Sequence, residues 1–150
     1  ASNAKGKLIL LPKDSYKSAR EMREKLKKHY GVKKLGVIIT DSRLFPLRAG
    51  IVGMALGYAG FKGLRDYRGT KDIFGRTLKL SRTDVADSLA TATVLVTGEG
   101  KEQQPLAVIE GAPVEFTDKN PSRRELYMNP RDDIYRPLFE NIKKIKLKKK

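Results

Sequence analysis

Two carboxylates with polar neighbours are the residues of this sequence best suited to chemistry. Asp41 follows an apolar, β-branched run and precedes Ser42, which places a carboxylate and a hydroxyl side by side at the end of a predicted strand. Together they offer two oxygen ligands to a hard divalent cation. The alternative is an Asx turn or a helix cap, in which the carboxylate only accepts bonds from nearby backbone amides. The pattern leaves both interpretations of Asp41 open.

Glu99 is the second candidate, because it lies between Gly98 and Gly100 at the start of a polar run. The residues that follow are Lys101, Glu102, Gln103 and Gln104. Backbone amides in glycine-rich turns form concavities that bind anions, and the carboxylate adds an oxygen ligand for a metal. Such a turn is equipped to hold both a metal and a phosphate. A plain exposed turn after a helix accounts equally for this spacing.

Arginine and lysine side chains supply the charge needed to bind phosphate or carboxylate groups. We single out Arg48, Arg68 and Lys71 as contacts for a substrate or a phosphate. Two further acids, Asp72 and Asp87, are interpreted as a loop charge and a helix-capping residue. No residue is assigned a catalytic role on this basis.

The composition predicts one globular domain with a strongly basic balance. The 150 residues carry a formal net charge of +15, which favours anionic partners. Lysines are concentrated at 13–34 and in a basic tail at 143–150. A non-catalytic module that binds nucleic acid or another polyanion is therefore an alternative function. Few aromatic residues interleave the lysines, so recognition of nucleic acid by base stacking is poorly supported.

Several classes of protein are disfavoured by what the sequence lacks. It contains no phosphate-binding Walker motif, no H-E-x-x-H and no G-x-S-x-G. Its one histidine, His29, lies among lysines, which argues against a Ser-His-Asp triad. No apolar run approaches the roughly 20 residues of a membrane span. Cysteine is absent, which fits a reducing compartment, and we expect a cytoplasmic protein.

Apolar periodicity predicts an α+β fold, with a mixed, largely antiparallel sheet and packed helices. We expect helices from Asp14 or Ser15 to about His29, from 85 to Gly98 with Asp84 as the cap, and from 132 to about 144. The predicted strands are 8–11, 35–40, 77–82 and 106–109. The segment 50–63 is too rich in glycine to assign, and suits either a tightly packed strand or a close-packed helix. The segments 65–76 and 118–130 are predicted loops.

Four motifs in series give the sequence a family resemblance. They are I-I-T-D-S-x-x-x-P-x-R-x-G-x-V-G-x-A-x-G-x-A-G from residue 38, D-Y-R-G-x-K-D-x-F-G-R-x-L-K from residue 66, V-A-D-S-L-A from residue 85 and G-E-G from residue 98. In this order they resemble the gamma-glutamyl ligase of the deazaflavin coenzyme F-420. The resemblance covers roughly residues 1–109, and the remainder is less diagnostic.

The resemblance implies a ligase that uses GTP and a divalent metal, Mg²⁺ or Mn²⁺. It attaches L-glutamate to a carboxylate acceptor through a gamma-linked amide, by way of an acyl phosphate. The positions that match the family's metal ligands are Asp41, Ser42 and Glu99. The positions that match its nucleotide-binding residues are Asn3, Thr97, Gly98, Glu99, Gly100, Lys101, Glu102, Gln103 and Gln104.

The resemblance also bears on assembly and on the acceptor. Family members carry G-I-D-x-S-N before the L-L-P strand, and the first three residues here, ending in Asn3, match the end of that motif. We therefore expect either the C-terminal part of a longer ligase domain, whose N-terminal half is missing, or a truncated relative. The resemblance separately implies a homodimer. Glu110 stands where the family usually has arginine. The family resemblance implies a deazaflavin coenzyme precursor as the acceptor, whereas the reversed charge at Glu110 favours a related but different carboxylate.

Overall fold

The computed structural model of the chain describes residues 10–140. Helices and strands follow one another in the order α1 (Ser15–Tyr30), β1 (Val37–Leu44), β2 (Ile51–Ala59), β3 (Leu64–Asp66), β4 (Arg82–Asp84), α2 (Val85–Thr97) and α3 (Arg136–Glu140). Strand β1 pairs antiparallel with β2, and β3 pairs antiparallel with β4. The predicted α+β class is confirmed.

Helix α1 begins and ends as the sequence predicts. The carboxylate of Asp14 accepts a 3.0 Å hydrogen bond from the amide of Lys17, and Gly31 ends the helix in the left-handed conformation, with φ of 65°. Such caps satisfy backbone groups that the helix itself leaves unpaired. The side chains buried on this helix are those of Ala19 and Arg23.

Strands β1 and β2 form a hairpin with one irregularity. Thr40 pairs with Ala55 and Ile39 pairs with Gly57, so Leu56 is an extra residue that has no partner across the ladder. The glycine-rich segment 50–63 is therefore largely strand. Strand β1 continues through Leu44, four residues beyond the predicted end at Thr40, and Asp41 lies inside it.

Helix α2 packs on β2 with very little space between the two backbones. A Cβ atom on Gly53 would lie 2.3 Å from the carbonyl oxygen of Ala90, so only glycine permits this approach. Ala86 on the same helix joins Tyr58 and Phe61 in the buried core. The small residues of the V-A-D-S-L-A motif thus serve close packing of helix on sheet.

Three strand predictions are wrong within the described residues. Leu10 and Leu11 belong to no strand, and residues 8 and 9 lie outside the described part of the chain. In 77–82, Leu78 and Ser81 make backbone hydrogen bonds with residues 67–70, but only Arg82 belongs to a strand, and the bridge from Thr77 to Lys71 is isolated. The segment 106–109 is unpaired. Extended apolar segments become strands only where a neighbouring strand accepts their hydrogen bonds.

Other boundaries also differ from the predictions. The predicted loop 65–76 overlaps most of β3, and α3 begins at Arg136, later than residue 132. The final residues of that predicted helix, the basic tail 143–150 and Asn3 all lie outside the described residues. Among residues 10–140, no helix is long and apolar enough to cross a membrane.

Candidate functional site

The hydroxyl of Ser42 donates a hydrogen bond to Oε1 of Glu99, 57 residues later in the chain. Ser42 lies in β1, and Glu99 follows the C-terminal end of α2. Helix α2 packs against β2, which is the partner of β1. The last turn of α2 therefore places Glu99 beside the strand that carries Ser42. Two of the three predicted metal ligands are therefore in direct contact.

Asp41 lies next to this pair and has a different local geometry. Its Oδ1 accepts a 2.9 Å hydrogen bond from the amide of Ser42, and its side chain is exposed. Successive residues of a regular strand point to opposite faces, so Asp41 and Ser42 leave β1 in different directions. Their pairing partners are Met54 and Gly53, respectively. This bond reaches only the next amide, so it is not an Asx turn, which accepts from the amide two residues on. Asp41 also lies inside β1 and caps no helix.

The turn after α2 binds a carboxylate of its own. The amide of Gly100 donates a 2.7 Å hydrogen bond to Oε2 of Glu102. A Cβ atom on Gly98 would lie 2.3 Å from Cδ of the same carboxylate, so the glycine leaves space that Glu102 fills. The amide of Gly100 thus donates to an anionic oxygen, the type of contact that such turns offer to anions. An incoming phosphate would compete with Glu102 for that position.

The other predicted nucleotide contacts in the described chain surround this turn. The hydroxyl of Thr97 donates to the carbonyl oxygen of Thr93, 3.1 Å away in its own helix. Gln103 has a positive φ of 53°, which turns the chain sharply after Glu102. Lys101 and Gln104 are exposed. Their side chains are accessible to a ligand bound over the turn.

The oxygen donors of Asp41, Ser42 and Glu99 suit Mg²⁺ or Mn²⁺ in their chemistry. Within residues 10–140, no group of three or more acidic or histidine side chains could hold a metal ion. Mg²⁺ commonly takes only one or two protein carboxylates, with waters and substrate phosphates completing its shell. The donors therefore fit an ion that arrives with a nucleotide better than a cage made by the protein alone.

The predicted phosphate contacts lie in two separate hairpins. Arg48 is exposed in the turn between β1 and β2, while Arg68 and Lys71 follow β3. Arg68 is already paired, because its guanidinium Nη2 lies 2.5 Å from Oδ2 of Asp66. That contact lowers the pKa of Asp66 to about 2 and raises the pKa of Arg68. Within the described chain, no hydrogen bond or ion pair joins these cations to Ser42 or Glu99.

Asp87 makes a contact with β2 that the sequence did not reveal. The cap prediction for Asp84 is confirmed, because its carboxylate accepts a 2.9 Å hydrogen bond from the amide of Asp87. Burial raises the pKa of Asp84, and the nearby charge of Asp87 adds to this. The Asp87 carboxylate, however, accepts a 2.8 Å bond from the amide of Ala55 in β2. The signal in the sequence was a polar residue one turn inside a predicted helix, which does not by itself identify the strand amide that it binds.

A cavity of about 480 Å³ lies elsewhere on the molecule. It is lined mainly by residues of α1 and by 118–120, and its walls carry both acidic and basic side chains. Neither Ser42 nor Glu99 borders it. The cavity therefore does not coincide with the candidate metal and nucleotide site.

Comparison with known proteins identifies the family. The sequence model of the family described as F420-0:Gamma-glutamyl ligase matches residues 1–111. Three similar relatives are each named coenzyme F420:L-glutamate ligase. That of Methanococcus maripaludis is 43% identical over 135 residues, which are 90% of this chain and 53% of the relative. That of Methanopyrus kandleri is 41% identical over 133 residues, with 87% and 52% covered.

The third relative comes from Methanocaldococcus jannaschii and is 40% identical over 135 residues, which are 90% of this chain and 53% of the relative. The chain thus spans about half the length of the curated relatives it matches. These similarities confirm the resemblance that the motifs indicated, and the chain belongs to the F420-0:gamma-glutamyl ligase family.

Proposed function

We propose that the chain is part of a ligase that joins L-glutamate to a carboxylate acceptor through a gamma-glutamyl amide, using GTP and Mg²⁺ or Mn²⁺. Family membership supports the reaction class, and the names of the relatives support a deazaflavin coenzyme precursor as the acceptor. A related carboxylate is the alternative acceptor, because Glu110 introduces a negative charge at an exposed position.

The observation that carries the proposal is the hydrogen bond between Ser42 and Glu99. These residues come from distant motifs, and both match metal-ligand positions of the family. Their contact shows that α2 and β1 bring the two motifs to one place. The glycine turn beside them already holds the carboxylate of Glu102 on the amide of Gly100. A divalent ion and a phosphate oxygen would therefore find oxygen ligands and amide donors at neighbouring positions.

The proposed reaction has two transfers. The acceptor carboxylate attacks the γ-phosphorus of GTP, the bond to the bridging oxygen breaks, and GDP leaves with the electron pair. The glutamate amine then attacks the acyl carbon of the resulting acyl phosphate, inorganic phosphate leaves, and the amine loses a proton to form the amide. A bound divalent ion would screen the repulsion between carboxylate and phosphate and stabilise the charge that develops.

The residues of this chain have distinct proposed roles in that scheme. Ser42 and Glu99, which are already in contact, would hold the ion, and Asp41 would complete the set by turning its second carboxylate oxygen towards them. The amide of Gly100 binds a phosphate oxygen in place of Glu102. Arg48, Lys71 and, after release from Asp66, Arg68 are proposed contacts for the anionic substrates.

We also propose that the protein works as a cytoplasmic homodimer. Several large apolar side chains are almost fully exposed, including Leu47 at 104%, Ile73 at 93% and Leu95 at 90%. Such side chains become buried where a second surface packs on them, so their exposure is consistent with the homodimer that the family resemblance implies. We propose that these side chains are covered by the rest of the ligase domain and by a second subunit.

Calorimetric titration with Mn²⁺ and GTP tests the proposed site. We expect Asp41→Ala and Glu99→Gln to bind the metal–nucleotide pair at least about tenfold more weakly than the wild-type protein, because each removes a charged oxygen ligand. Asp132→Ala is the control, since it removes an exposed carboxylate that makes no hydrogen bond with Asp41, Ser42 or Glu99 in the described chain. Equal binding by the wild-type protein and both site variants would show that these carboxylates do not hold the ion.

A further inference from the structure

We infer that Asp87 and Thr91 are positioning residues, which fix α2 on β2 and thereby hold Glu99 against Ser42. The consequence for metal binding rests on the proposed function, whereas the consequence for the Ser42–Glu99 contact does not. In the described chain, neither residue forms a hydrogen bond with Ser42 or Glu99. Their effect on the site is transmitted through the backbones of the helix and the strand.

Asp87 compensates for the irregularity in the β1–β2 ladder. Leu56 has no partner there, and the register shifts next to Ala55. A bulge of this kind disrupts the local hydrogen bonds of the ladder, and a part-buried amide needs an acceptor. The amide of Ala55 donates its 2.8 Å hydrogen bond to Oδ1 of Asp87 instead. A side chain of α2 thus takes the place of a strand at this position.

Thr91 makes the second connection, one helical turn further along. Its hydroxyl donates a 2.8 Å hydrogen bond to the carbonyl oxygen of Gly53. Between the two polar contacts, the backbone of Ala90 lies directly over Gly53. Residues three and four apart share one face of a helix, so Asp87, Ala90 and Thr91 form a single strip against β2. Two hydrogen bonds and one steric contact therefore fix the rotation and the sliding of α2.

The strip fixes the same part of the hairpin that carries the candidate site. Gly53 pairs with Ser42 in the ladder, so one residue contacts both the strip and the site strand. From Thr91 the helix runs to Thr97, and Glu99 follows two residues later. At about 1.5 Å per residue, the helical part from Thr91 to Thr97 is roughly 9 Å long, and Gly98 joins it to Glu99. A shift of α2 on β2 therefore moves the turn that carries the Glu99 carboxylate.

Thr93 offers a matched control on the same helix. Its hydroxyl donates a 2.7 Å hydrogen bond to the carbonyl oxygen of Ala90, so it bonds within α2 and not to the strand. Thr91→Val and Thr93→Val each remove one hydroxyl, two residues apart, and leave a β-branched side chain. A role limited to helix stability predicts similar effects for the two variants. A positioning role predicts that only Thr91→Val disturbs the site.

The test measures the Ser42–Glu99 contact in the metal-free protein, from the nuclear Overhauser effect between the Ser42 β-protons and the Glu99 γ-protons. We expect this signal to weaken at least twofold in Thr91→Val and Asp87→Ala. It should persist in Thr93→Val and in Asp87→Asn, whose amide oxygen still accepts from Ala55. An unchanged signal in Thr91→Val, or an equal loss in Thr93→Val, would overturn the inference, even if Asp87→Ala does not fold.

Titration with Mn²⁺, followed by electron paramagnetic resonance, separates this inference from the proposed function. If both are correct, Thr91→Val binds Mn²⁺ about tenfold more weakly than Thr93→Val. If the wild-type protein shows the Ser42–Glu99 signal and the variants change it as expected, but Mn²⁺ does not bind, the positioning role stands and the metal site is wrong. If Mn²⁺ binds and Thr91→Val leaves both readouts unchanged, the metal site stands and the positioning role is wrong.

Discussion

Arg23 and Asp118 are 95 residues apart in the chain, yet the guanidinium Nη2 of Arg23 donates a 2.6 Å hydrogen bond to the carboxylate of Asp118. Arg23 is buried, with 6% of its surface exposed, whereas the side chain of Asp118 is 81% exposed. The Nε of Arg23 also donates to the carbonyl oxygen of Leu35, at 2.8 Å. One guanidinium therefore joins α1, the segment before β1 and the C-terminal segment.

Replacing this buried arginine should destabilise the protein by a moderate amount. We expect Arg23→Met to lower the free energy of unfolding by about 1–3 kcal/mol, because the Leu35 carbonyl loses its donor. Asp118 remains solvated, so the loss should stay below the roughly 3–5 kcal/mol of a broken buried pair. Urea denaturation measures the change. Arg131→Met, at an exposed position, should change little, and equal effects of the two variants would contradict the prediction.

The same contact predicts a dependence of stability on pH. The hydrogen bond from Arg23, with the nearby charge of Lys27, holds the pKa of Asp118 below its ordinary value of 3.8. A lowered pKa in the folded state adds stability that is present above the ordinary value and disappears as pH falls through the lowered one. Asp118→Asn lacks this contribution.

The difference in stability between the wild-type protein and Asp118→Asn should therefore be constant near neutral pH and shrink below pH 3.8. Thermal unfolding over this range measures it. The matched variant Asp132→Asn removes an exposed carboxylate that makes no contact with Arg23, and its difference from wild type should not follow the same course. A difference for Asp118→Asn that is independent of pH would show that the ion pair does not contribute.

Helices α1 and α2 could be predicted from the sequence because their ends are determined locally. Asp14 caps α1 and Asp84 caps α2 through bonds from amides three residues away, and Gly31 ends α1 through its own left-handed conformation. Strands depend on partners that are distant in sequence. The segments 8–11, 77–82 and 106–109 had the composition of strands, but composition does not say whether a neighbour will pair with them.

The candidate site was predictable in its members but not in its geometry. Motifs identified Ser42 and Glu99, and their contact is a consequence of how α2 packs on β2. That packing depends on Gly53, on the unpaired Leu56 and on the acceptor that Asp87 supplies to Ala55. A bulge leaves no clear sign in the sequence, so the role of Asp87 appeared only in the structure.

The close packing of α2 on β2 predicts a strong effect for a single added methyl group. In Gly53→Ala, the new Cβ would lie 2.3 Å from the carbonyl oxygen of Ala90 and 2.9 Å from Cγ2 of Val94. Because backbone cannot move aside as a flexible side chain does, we expect the free energy of unfolding to fall by about 1–3 kcal/mol. Chemical denaturation measures the change.

Gly100→Ala provides the comparison for Gly53→Ala. Its new Cβ would meet the end of the Glu102 side chain at 3.3 Å, and this exposed, flexible side chain needs to shift by only a few tenths of an ångström. We expect a change within about 0.5 kcal/mol. If the two variants have the same stability, α2 does not approach β2 as closely as described.

The buried hydroxyl of Tyr58 donates a hydrogen bond to the carboxylate of Glu125 in the C-terminal segment. Burial, reinforced by the bond to Glu125, raises the pKa of Tyr58 well above its ordinary value of 10.0. We expect Tyr58→Phe to lower the free energy of unfolding by about 1–3 kcal/mol near neutral pH, since Glu125 loses a donor. Urea denaturation measures the loss, with Tyr127→Phe, 63% exposed, as the control.

A raised pKa in the folded state adds stability that is fully present below the ordinary value and is lost as pH rises towards the folded-state value. The contribution of Tyr58 should therefore decline above pH 10.0. Because Tyr58→Phe lacks the titrating group, the difference between it and the wild-type protein should shrink in that range. Lysine titration affects both proteins alike and cancels in the comparison. A difference that stays constant above pH 10.0 would contradict the raised pKa and the contact with Glu125 on which it partly depends.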